Sequence, residues 1–288
     1  MENDQIIELW LESQRSEHTR EAYAADIQRL CEFLRDKLLA AVELRDLQRY
    51  QKYLDQAQTK YGKKYAEKTK QRMIVAVKSL FSFASDEGHI GANPARKIQI
   101  IKCRDDRGAR VLSREEVDKM IGATANRRDN LILQTLFFSG ARVSELTGLR
   151  WQDVQPNDVT GGQLALFGKG SQNRTVGITR ELYDALMAYR ASTSAHAKDR
   201  VFTSQKDKGG MSRQQVFRVI KAAAKRSGVN WNASPHWLRH TFATEGLKNG
   251  APLPLLQRDL GHASLETTQI YLDINPNEAT ATYLANQD

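Results

Sequence analysis

The segment LALFGKGSQNRTVGIT, residues 164–179, decides the fold class of this chain of 288 residues. Apolar and polar residues alternate on both sides of a turn at residues 170–173, which is the pattern of a β-hairpin. Most other periodic segments repeat their apolar residues at the spacing of an α-helix. The sequence therefore predicts a mainly α-helical fold with a small β-sheet.

Helical segments lie on both sides of this hairpin in the sequence. LSREEVDKMI begins with a capping box, in which Ser113 is the N-cap and Glu116 is the third helical residue. An apolar helix over residues 128–139 then ends at Gly140. Further helices are predicted over residues 180–191, 212–227, 234–250, 253–262, 264–274 and 277–287. Together these segments predict a mixed α/β domain over residues 111–288.

The first 95 residues have the pattern of a small helical bundle, with no predicted strand. Helices are predicted over residues 19–35, 42–56 and 67–88. We expect Thr19 to cap the first helix and Gly88 to end the third. The third helix carries an apolar stripe formed by Met73, Val77, Leu80, Phe81 and Ala84. Asn93-Pro94 then stops the helical pattern, and the charged residues 96–110 are predicted to be a linker.

The charge of the chain points to a polyanionic partner. The formal net charge is +9, and the isoelectric point is about 9.5. Nucleic acid is the first candidate and an acidic membrane surface the second. One basic segment precedes and enters the third helix, and its predicted DNA-binding residues are Lys60, Lys63, Lys64, Lys68, Lys70 and Arg72. Charge alone leaves a solvated helix face equally open.

Several other protein classes are disfavoured by the sequence. No apolar run approaches the ~18–20 residues that span a bilayer, and we expect no membrane partner. MENDQIIELW at the N-terminus lacks the basic and apolar regions of a signal peptide. Cys31 and Cys103 have no CxxC spacing, which argues against a disulfide scaffold and a zinc ribbon. We therefore expect a cytoplasmic protein.

Two segments carry arginines suited to binding a phosphate. His236 and Arg239 share a helix face directly after Ser234-Pro235, a typical helix start. A helix N-terminus, an imidazole and a planar guanidinium on one face form a phosphate site. In the other segment, Arg142 follows a small-residue turn, and Glu145 is placed to hold its guanidinium.

A lysine and a tyrosine complete this set. Lys169 stands between two glycines at the hairpin tip, where it could reach into a cleft as a proton donor. Tyr271, in LGHASLETTQIYLDI, supplies a hydroxyl whose usual pKa is about 10. Nearby cations would favour the phenolate and stabilise a phosphoryl transition state. Such a set could cleave a phosphodiester without a metal or another cofactor.

Each residue also has a plainer interpretation. Tyr271 could be a core aromatic, Lys169 an ordinary turn lysine, and Arg142 one half of a helix-start ion pair. The i, i+4 spacing of His236 and His240 could indicate zinc, with His262 as a third ligand. The sequence has no HExxH motif and no nearby cysteine, which disfavours a zinc hydrolase. We expect His240 to support neighbouring residues of the site.

These motifs resemble those of the tyrosine recombinase, or phage integrase, family, and most closely its compact Xer-type members. The motifs that match in order and spacing are ARVSELTGLRWQDV at 141–154, GKGSQNR at 168–174, HWLRHTFAT at 236–244 and LGHASLETTQIY at 260–271. Near the N-terminus, SEHTREAYAADIQRLCEFL and SLFSFASDEGHIGANPA also match. Nearly the whole chain is covered, which implies a SAM-like core-DNA-binding domain and a tyrosine-recombinase catalytic domain.

The resemblance also implies a role for each site residue. Arg142 and Arg239 would clamp the scissile phosphate, and Tyr271 would attack it to form a 3′-phosphotyrosyl link. Lys169 would protonate the leaving 5′ oxygen. The residues implied to assist are His236 and His262, as hydrogen-bond partners of the phosphate, and Glu145 and His240, as supporting residues.

The same resemblance implies an assembly. Four protomers, with or without a paralogous recombinase, would exchange strands of double-stranded DNA at specific sites through a Holliday junction. The residues after 276 would form a helix that docks on a neighbouring protomer. The sequence leaves open whether Tyr271 is docked without DNA, and we hypothesise that it can be withdrawn from the site until DNA and other protomers bind. Two alternatives stay open: a non-catalytic DNA-binding protein and a type IB-like topoisomerase.

Overall fold

The computed structural model describes residues 2–35, 37–100, 103, 110–168, 173–204, 209–262, 264, 266–269 and 271. The chain divides into two compact units, Met1–Asp105 and Asp106–Asp288. In the described ranges, no helix is long and apolar enough to cross a membrane.

The first unit is built from helices. They are α1 (Asn3–Glu12), α2 (Glu17–Leu34), α3 (Leu44–Gln56) and α4 (Glu67–Asp86). The apolar stripe predicted for α4 is confirmed, because all five of its side chains are buried in the core. The sequence reading missed α1, whose buried Trp10 stacks in parallel on Tyr23 with ring centroids 5.4 Å apart.

The predicted cap of α2 was wrong. The helix begins at Glu17, and Ser16 is its N-cap, with an extended backbone and a hydroxyl that accepts from the Thr19 amide. Thr19 therefore supplies the amide that is capped. The two hydroxyl residues are three apart, and the sequence pattern alone did not distinguish the cap from its donor.

The end of the first unit extends into the predicted linker. Ala95 and Ile98 are buried in its core. Lys78 Nζ donates to the carbonyl oxygens of Ala95, Arg96 and Ile98 at 3.1, 3.3 and 2.7 Å. Residues 96–98 are consequently packed against α4 through the lysine that binds their backbone.

The second unit combines helices with a three-stranded sheet. Its helices are α5 (Arg114–Gly122), α6 (Arg127–Ser139), α7 (Val143–Gly148), α8 (Arg180–Thr193), α9 (Arg213–Ser227), α10 (Pro235–Lys248), α11 (Leu253–Leu260) and α12 (Glu266–Gln269). Its strands are β1 (Val154–Asn157), β2 (Gly161–Phe167) and β3 (Asn173–Ile178). The sheet is antiparallel in the order β1-β2-β3, which confirms the predicted hairpin of β2 and β3. β1 was not predicted, since VQPN is short and contains a proline.

Local signals set the positions of the helices that carry the site. Ser113 and Glu116 form the predicted capping box at the start of α5. Gly140 ends α6 in the left-handed conformation, with φ of +59°. Ser234 caps α10, with Pro235 in its first turn. α10 packs against α6, and this packing brings Arg239 to the backbone of Gly140.

Candidate active site

One cavity in the second unit gathers most of the predicted catalytic residues. It encloses about 200 Å³ and is lined by Arg142, His236, Arg239, His240, His262, Thr267 and Tyr271. Lys169 and the C-terminal segment after Tyr271 lie outside the described residues. A larger cavity of about 660 Å³, beside Trp151 and Tyr189, contains none of the predicted site residues. The smaller cavity is therefore the candidate active site, because it contains predicted catalytic side chains and the larger cavity does not.

Arg142 is held by the carboxylate of Glu145. Arg142 precedes α7, its backbone N–H donates to Glu145 Oε2 at 2.7 Å, and its Nη1 donates to Glu145 Oε1 at 3.0 Å. Its Nη2 donates to the carbonyl oxygen of Gly261 at 3.2 Å. The predicted contact between the two residues is confirmed, and the Arg142 side chain remains about one-third exposed.

Glu145 is fully buried and is shared with a second arginine, Arg174. Arg174 Nη1 and Nη2 donate to the two carboxylate oxygens at 2.6 and 2.9 Å. Burial by itself would raise the pKa of Glu145, but the hydrogen bonds from Arg174 and from the Arg142 backbone outweigh it and lower that pKa. Glu145 is thus a fixed negative charge between two guanidinium groups.

Arg239 is buried and bound by main-chain oxygens. Its Nη1 donates to the Gly140 carbonyl at 2.6 Å, and its Nη2 donates to the Leu260 carbonyl. Burial, followed by the positive charges of Arg142 and Arg174, lowers the pKa of Arg239 to about 9. The guanidinium is still charged at neutral pH, and it is held rigidly because carbonyls from two separate turns accept its protons.

The imidazoles of His236 and His262 are neutral. Burial, followed by the charges of Arg239 and Arg142, lowers the pKa of His262 to about 4. The pKa of His236 is lowered by the same causes in the same order, although this side chain reaches solvent. A neutral imidazole can bind a phosphate without adding a further cation to a site that already holds guanidinium groups.

The tautomer of His262 follows from its partners. Arg239 Nη2 lies 3.2 Å from His262 Nε2, and a guanidinium can only donate, so Nε2 is the acceptor. The proton of the neutral ring is then on Nδ1, which lies 3.0 Å from the hydroxyl oxygen of the buried Thr268. Thr268 on α12 therefore orients His262.

Tyr271 lies inside the cavity of its own chain. It is 4% exposed, and its hydroxyl lies 2.9 Å from His240 Nδ1. Its ring is parallel to that of His262, with centroids 6.3 Å apart. This placement counts against the hypothesis that Tyr271 is withdrawn without DNA. The reason is local packing, since the phenol has a hydrogen-bond partner and an apolar cluster with Leu256 and Leu260.

A zinc site is disfavoured by the same contacts. Among the described residues, no three His, Cys, Asp or Glu side chains are grouped so that they could hold a metal ion. His262 Nε2 faces a guanidinium, and His240 Nδ1 faces a phenol. A divalent cation beside Arg142 and Arg239 would be repelled.

Sequence reasoning missed Thr267, which lines the cavity, and two residues that position others in the site. Arg174 follows the hairpin turn, and Thr268 precedes the tyrosine. For Arg174 a signal existed: it shares the period-two face of β3 with the buried Val176 and Ile178. An arginine on the inward face of a strand needs a buried partner. For Thr268 we find no comparable signal in the sequence.

The basic segment of the first unit is partly neutralised. Lys70 is buried, and its Nζ lies 2.9 Å from Asp55 Oδ1 and also pairs with Glu67. Arg72 pairs with the buried Asp26 of α2. Asp26 on α2 and Asp55 on α3 lie outside the basic segment in the sequence. The sequence alone therefore indicated an excess of positive charge in this segment, which the fold partly neutralises. The structure argues against Lys70 as a DNA contact and assigns Arg72 a partner inside the protein. The exposed members of the predicted set are Lys60, Lys63, Lys64 and Lys68.

Comparison with protein families accounts for this arrangement. The model described as the phage integrase family matches residues 110–278, more than half of the chain. The chain belongs to the phage integrase family. The N-terminal SAM-like domain of phage integrases matches residues 6–88 of this family member.

Curated relatives support the same membership. The chain is 30% identical to tyrosine recombinase XerC of Xylella fastidiosa strain M23, covering 93% of this chain and 90% of the relative. It is likewise 30% identical to tyrosine recombinase XerC of Pelobacter propionicus, covering 98% and 94%. The predicted family and the predicted enzyme class, a tyrosine recombinase, are confirmed. The non-catalytic and topoisomerase alternatives are not favoured.

Solved structures share the fold. A dimer of lambda integrase residues 75–356 bound to a COC′ core site is 20% identical, with a TM-score of 0.75 and coverage of 96% of this chain and 95% of that one. XerH site-specific recombinase bound to palindromic difH substrate is 21% identical, with a TM-score of 0.74 and coverage of 89% and 76%. The predicted fold class is thereby confirmed.

Proposed function

We propose that this phage integrase family member is a site-specific recombinase that cuts and rejoins double-stranded DNA through a 3′-phosphotyrosyl intermediate. The observation that carries the proposal is the position of the Tyr271 hydroxyl, which lies in one cavity with Arg142 and Arg239. A phenol buried beside two guanidinium groups is suited to attack a bound phosphodiester, because the cations stabilise both the phenolate and the transition state.

The proposed cleavage step exchanges one ester for another. The Tyr271 Oη–P bond forms and the P–O5′ bond breaks, leaving a 3′-phosphotyrosyl strand and a 5′-hydroxyl. The phenolic proton passes to His240 Nδ1, which lies 2.9 Å from the hydroxyl oxygen. The leaving 5′ oxygen takes a proton from Lys169. Religation is the reverse reaction, so the bond energy is kept and no cofactor is required.

The other site residues have proposed roles that follow from their charges. Arg142 and Arg239 bind the non-bridging oxygens of the scissile phosphate, since guanidinium groups bind such oxygens in a bidentate manner. The neutral His236 donates a hydrogen bond to the phosphate. His262 has to exchange its contact with Arg239 before Nε2 can face a phosphate oxygen. Glu145 holds Arg142.

At the level of the assembly, we propose a tetramer on two DNA sites that passes through a Holliday junction. Support comes from lambda integrase, a structural relative solved as a tetramer bound to a Holliday junction. Residues 1–95 would bind the core DNA, 111–288 would catalyse, and the C-terminal segment would dock on a neighbour.

The cellular role would be Xer-like chromosome dimer resolution, and hence chromosome partition, or integration and excision of a mobile element. The two free cysteines suit the reducing cytoplasm.

Covalent capture tests the proposed activity. A randomised pool of nicked duplexes is incubated with the protein, and duplexes bound covalently to protein are recovered and amplified. We expect the wild-type protein and Tyr189→Phe, a matched phenol outside the cavity, to capture the same duplexes. Tyr271→Phe should bind them with unchanged affinity and form no adduct. Adducts formed by Tyr271→Phe would contradict the proposal, and relaxation of any plasmid without recombinants would favour a topoisomerase.

A further inference from the structure

We propose that Arg174 is a positioning residue of the cleavage reaction, which sets the direction of the Arg142 guanidinium through two separate contacts. This inference rests on the proposed function. Arg174 was not among the predicted catalytic residues, and its side chain is 6% exposed, so it acts on the phosphate through its neighbour.

Arg174 shares one hydrogen-bond acceptor with the Arg142 side chain and binds a carbonyl two residues before the other. The first is Glu145, whose two oxygens accept from Arg174 Nη1 and Nη2 while Oε1 also accepts from Arg142 Nη1. The second is the turn at the end of α11. There Arg174 Nε donates to the Asp259 carbonyl at 2.6 Å, and Arg142 Nη2 donates to the Gly261 carbonyl.

The packing around Gly261 makes this second contact rigid. Gly261 has φ of +62°, and a methyl group added to its α-carbon would lie 3.1 Å from Arg174 Cδ. The stem of Arg174 therefore lies directly against the turn whose carbonyl binds Arg142. Three separate chain segments therefore meet at the Arg174 guanidinium. They are strand β3, which carries it, the start of α7, which supplies Glu145, and the end of α11, which supplies the Asp259 carbonyl.

A purely structural ion pair is a weaker explanation of this arrangement. Removing an arginine and a carboxylate from water is costly, and buried pairs contribute little net stability compared with apolar residues. Their value lies in geometry, because a bidentate pair defines both the position and the plane of the carboxylate. Arg174 orients the Glu145 carboxylate in this way, and the carboxylate also accepts the hydrogen bond from Arg142.

The variant Arg174→Lys separates positioning from charge. Lysine keeps the positive charge, but its single ammonium cannot bridge the Glu145 carboxylate and the Asp259 carbonyl as the planar fork does. Arg128→Lys is the matched control. Arg128 is a half-buried arginine that pairs with Asp129 and donates to the Thr203 carbonyl at 3.0 Å, outside the active-site cavity.

The test measures single-turnover cleavage of a nicked duplex captured by the wild-type protein. The same duplex is also made with a methylphosphonate at the scissile position, which replaces one charged non-bridging oxygen by a neutral methyl group. On the phosphate substrate we expect Arg174→Lys to cleave about 100-fold more slowly, as is typical for a misplaced catalytic group, with unchanged duplex affinity. On the methylphosphonate, which needs less cationic stabilisation, the loss should shrink to under about tenfold.

Each outcome bears on a different claim. Arg128→Lys should cleave both substrates at the wild-type rate even where its melting temperature falls. Glu145→Gln removes the same pair from the other side and should reproduce the pattern of Arg174→Lys. Equal losses on the two substrates, or a normal rate for Arg174→Lys, would overturn the positioning role. Absence of covalent capture by the wild-type protein would instead overturn the proposed function, on which this role depends.

Discussion

Acidification should destabilise the second unit through His262. The ring is neutral because Nε2 accepts from Arg239, and protonation of Nε2 would break that contact and add a cation beside two arginines. Since the folded-state pKa is below the unfolded value, the unfolded chain binds more protons at mildly acidic pH. Stability is therefore complete above about pH 6.5, falls as the pH decreases below it, and levels off near about pH 4.

The size of this effect follows from the two pKa values. A pKa lowered from 6.5 to about 4 corresponds to a loss of about 2 kcal/mol at about pH 5. The imidazole is only partly buried, and solvent screening reduces the figure. We expect about 1 kcal/mol at that pH.

The assay is urea denaturation of wild type and of His262→Gln between about pH 7 and about pH 5. Glutamine keeps an acceptor for Arg239 and cannot be protonated in this range, so the variant lacks the His262 penalty. His236 contributes in the same direction to both proteins and cancels in their difference. The wild-type free energy of unfolding should fall by about 1 kcal/mol more than that of the variant.

Two results would refute this reasoning. Parallel loss of stability in the two proteins would show that His262 is not held neutral by the fold. Nitrogen-15 NMR with the ring proton on Nε2, or with a titration midpoint near the ordinary value, would show that Arg239 does not set its tautomer.

Three further predictions concern other contacts. Gly140→Ala should lower the free energy of unfolding by about 2–4 kcal/mol in urea denaturation. The reason is that φ is +59° and the added methyl group would lie 2.5 Å from the Phe242 ring, and a change below about 0.5 kcal/mol would contradict it. His240→Ala should slow single-turnover cleavage about tenfold. His240→Asn keeps an acceptor near the position of Nδ1 and should slow cleavage less. Equal cleavage rates for the two variants would exclude a role for the contact with Tyr271. Lys64→Ala should reduce the slope of log affinity against log salt by about 1 in DNA titrations, whereas Lys70→Ala should leave it unchanged; the reverse order would refute our distinction between exposed and paired lysines.

Much of the fold could be predicted because its signals are local. The capping box at Ser113, the glycine stop at residue 140 and the alternation around the hairpin each depend on residues close in sequence. The predicted contact between Arg142 and Glu145 was found for the same reason, since the two residues are three positions apart at one helix start.

The remaining features depend on contacts between distant segments. Lys70 seemed available to DNA because its partner Asp55 lies on another helix. The carbonyl of Leu260 binds Arg239, which lies 21 positions earlier in the sequence. The docked position of Tyr271, which the sequence left open, is likewise set by a hydrogen bond to His240 on α10. Periodicity and spacing carry no record of such pairings.

The position of Tyr271 in its own chain's cavity has a consequence for mixed assemblies. If nucleophile and arginines come from one polypeptide, a subunit lacking the tyrosine and a subunit lacking Arg239 cannot complement each other, because no cavity in the mixture is intact. Each subunit that carries one of these substitutions would therefore stay inactive in the mixed assembly. In a tetramer that cuts its strands in turn, the order of cutting then cannot arise from lending a tyrosine to a neighbour, and has to come from contacts that switch each subunit's own site on or off.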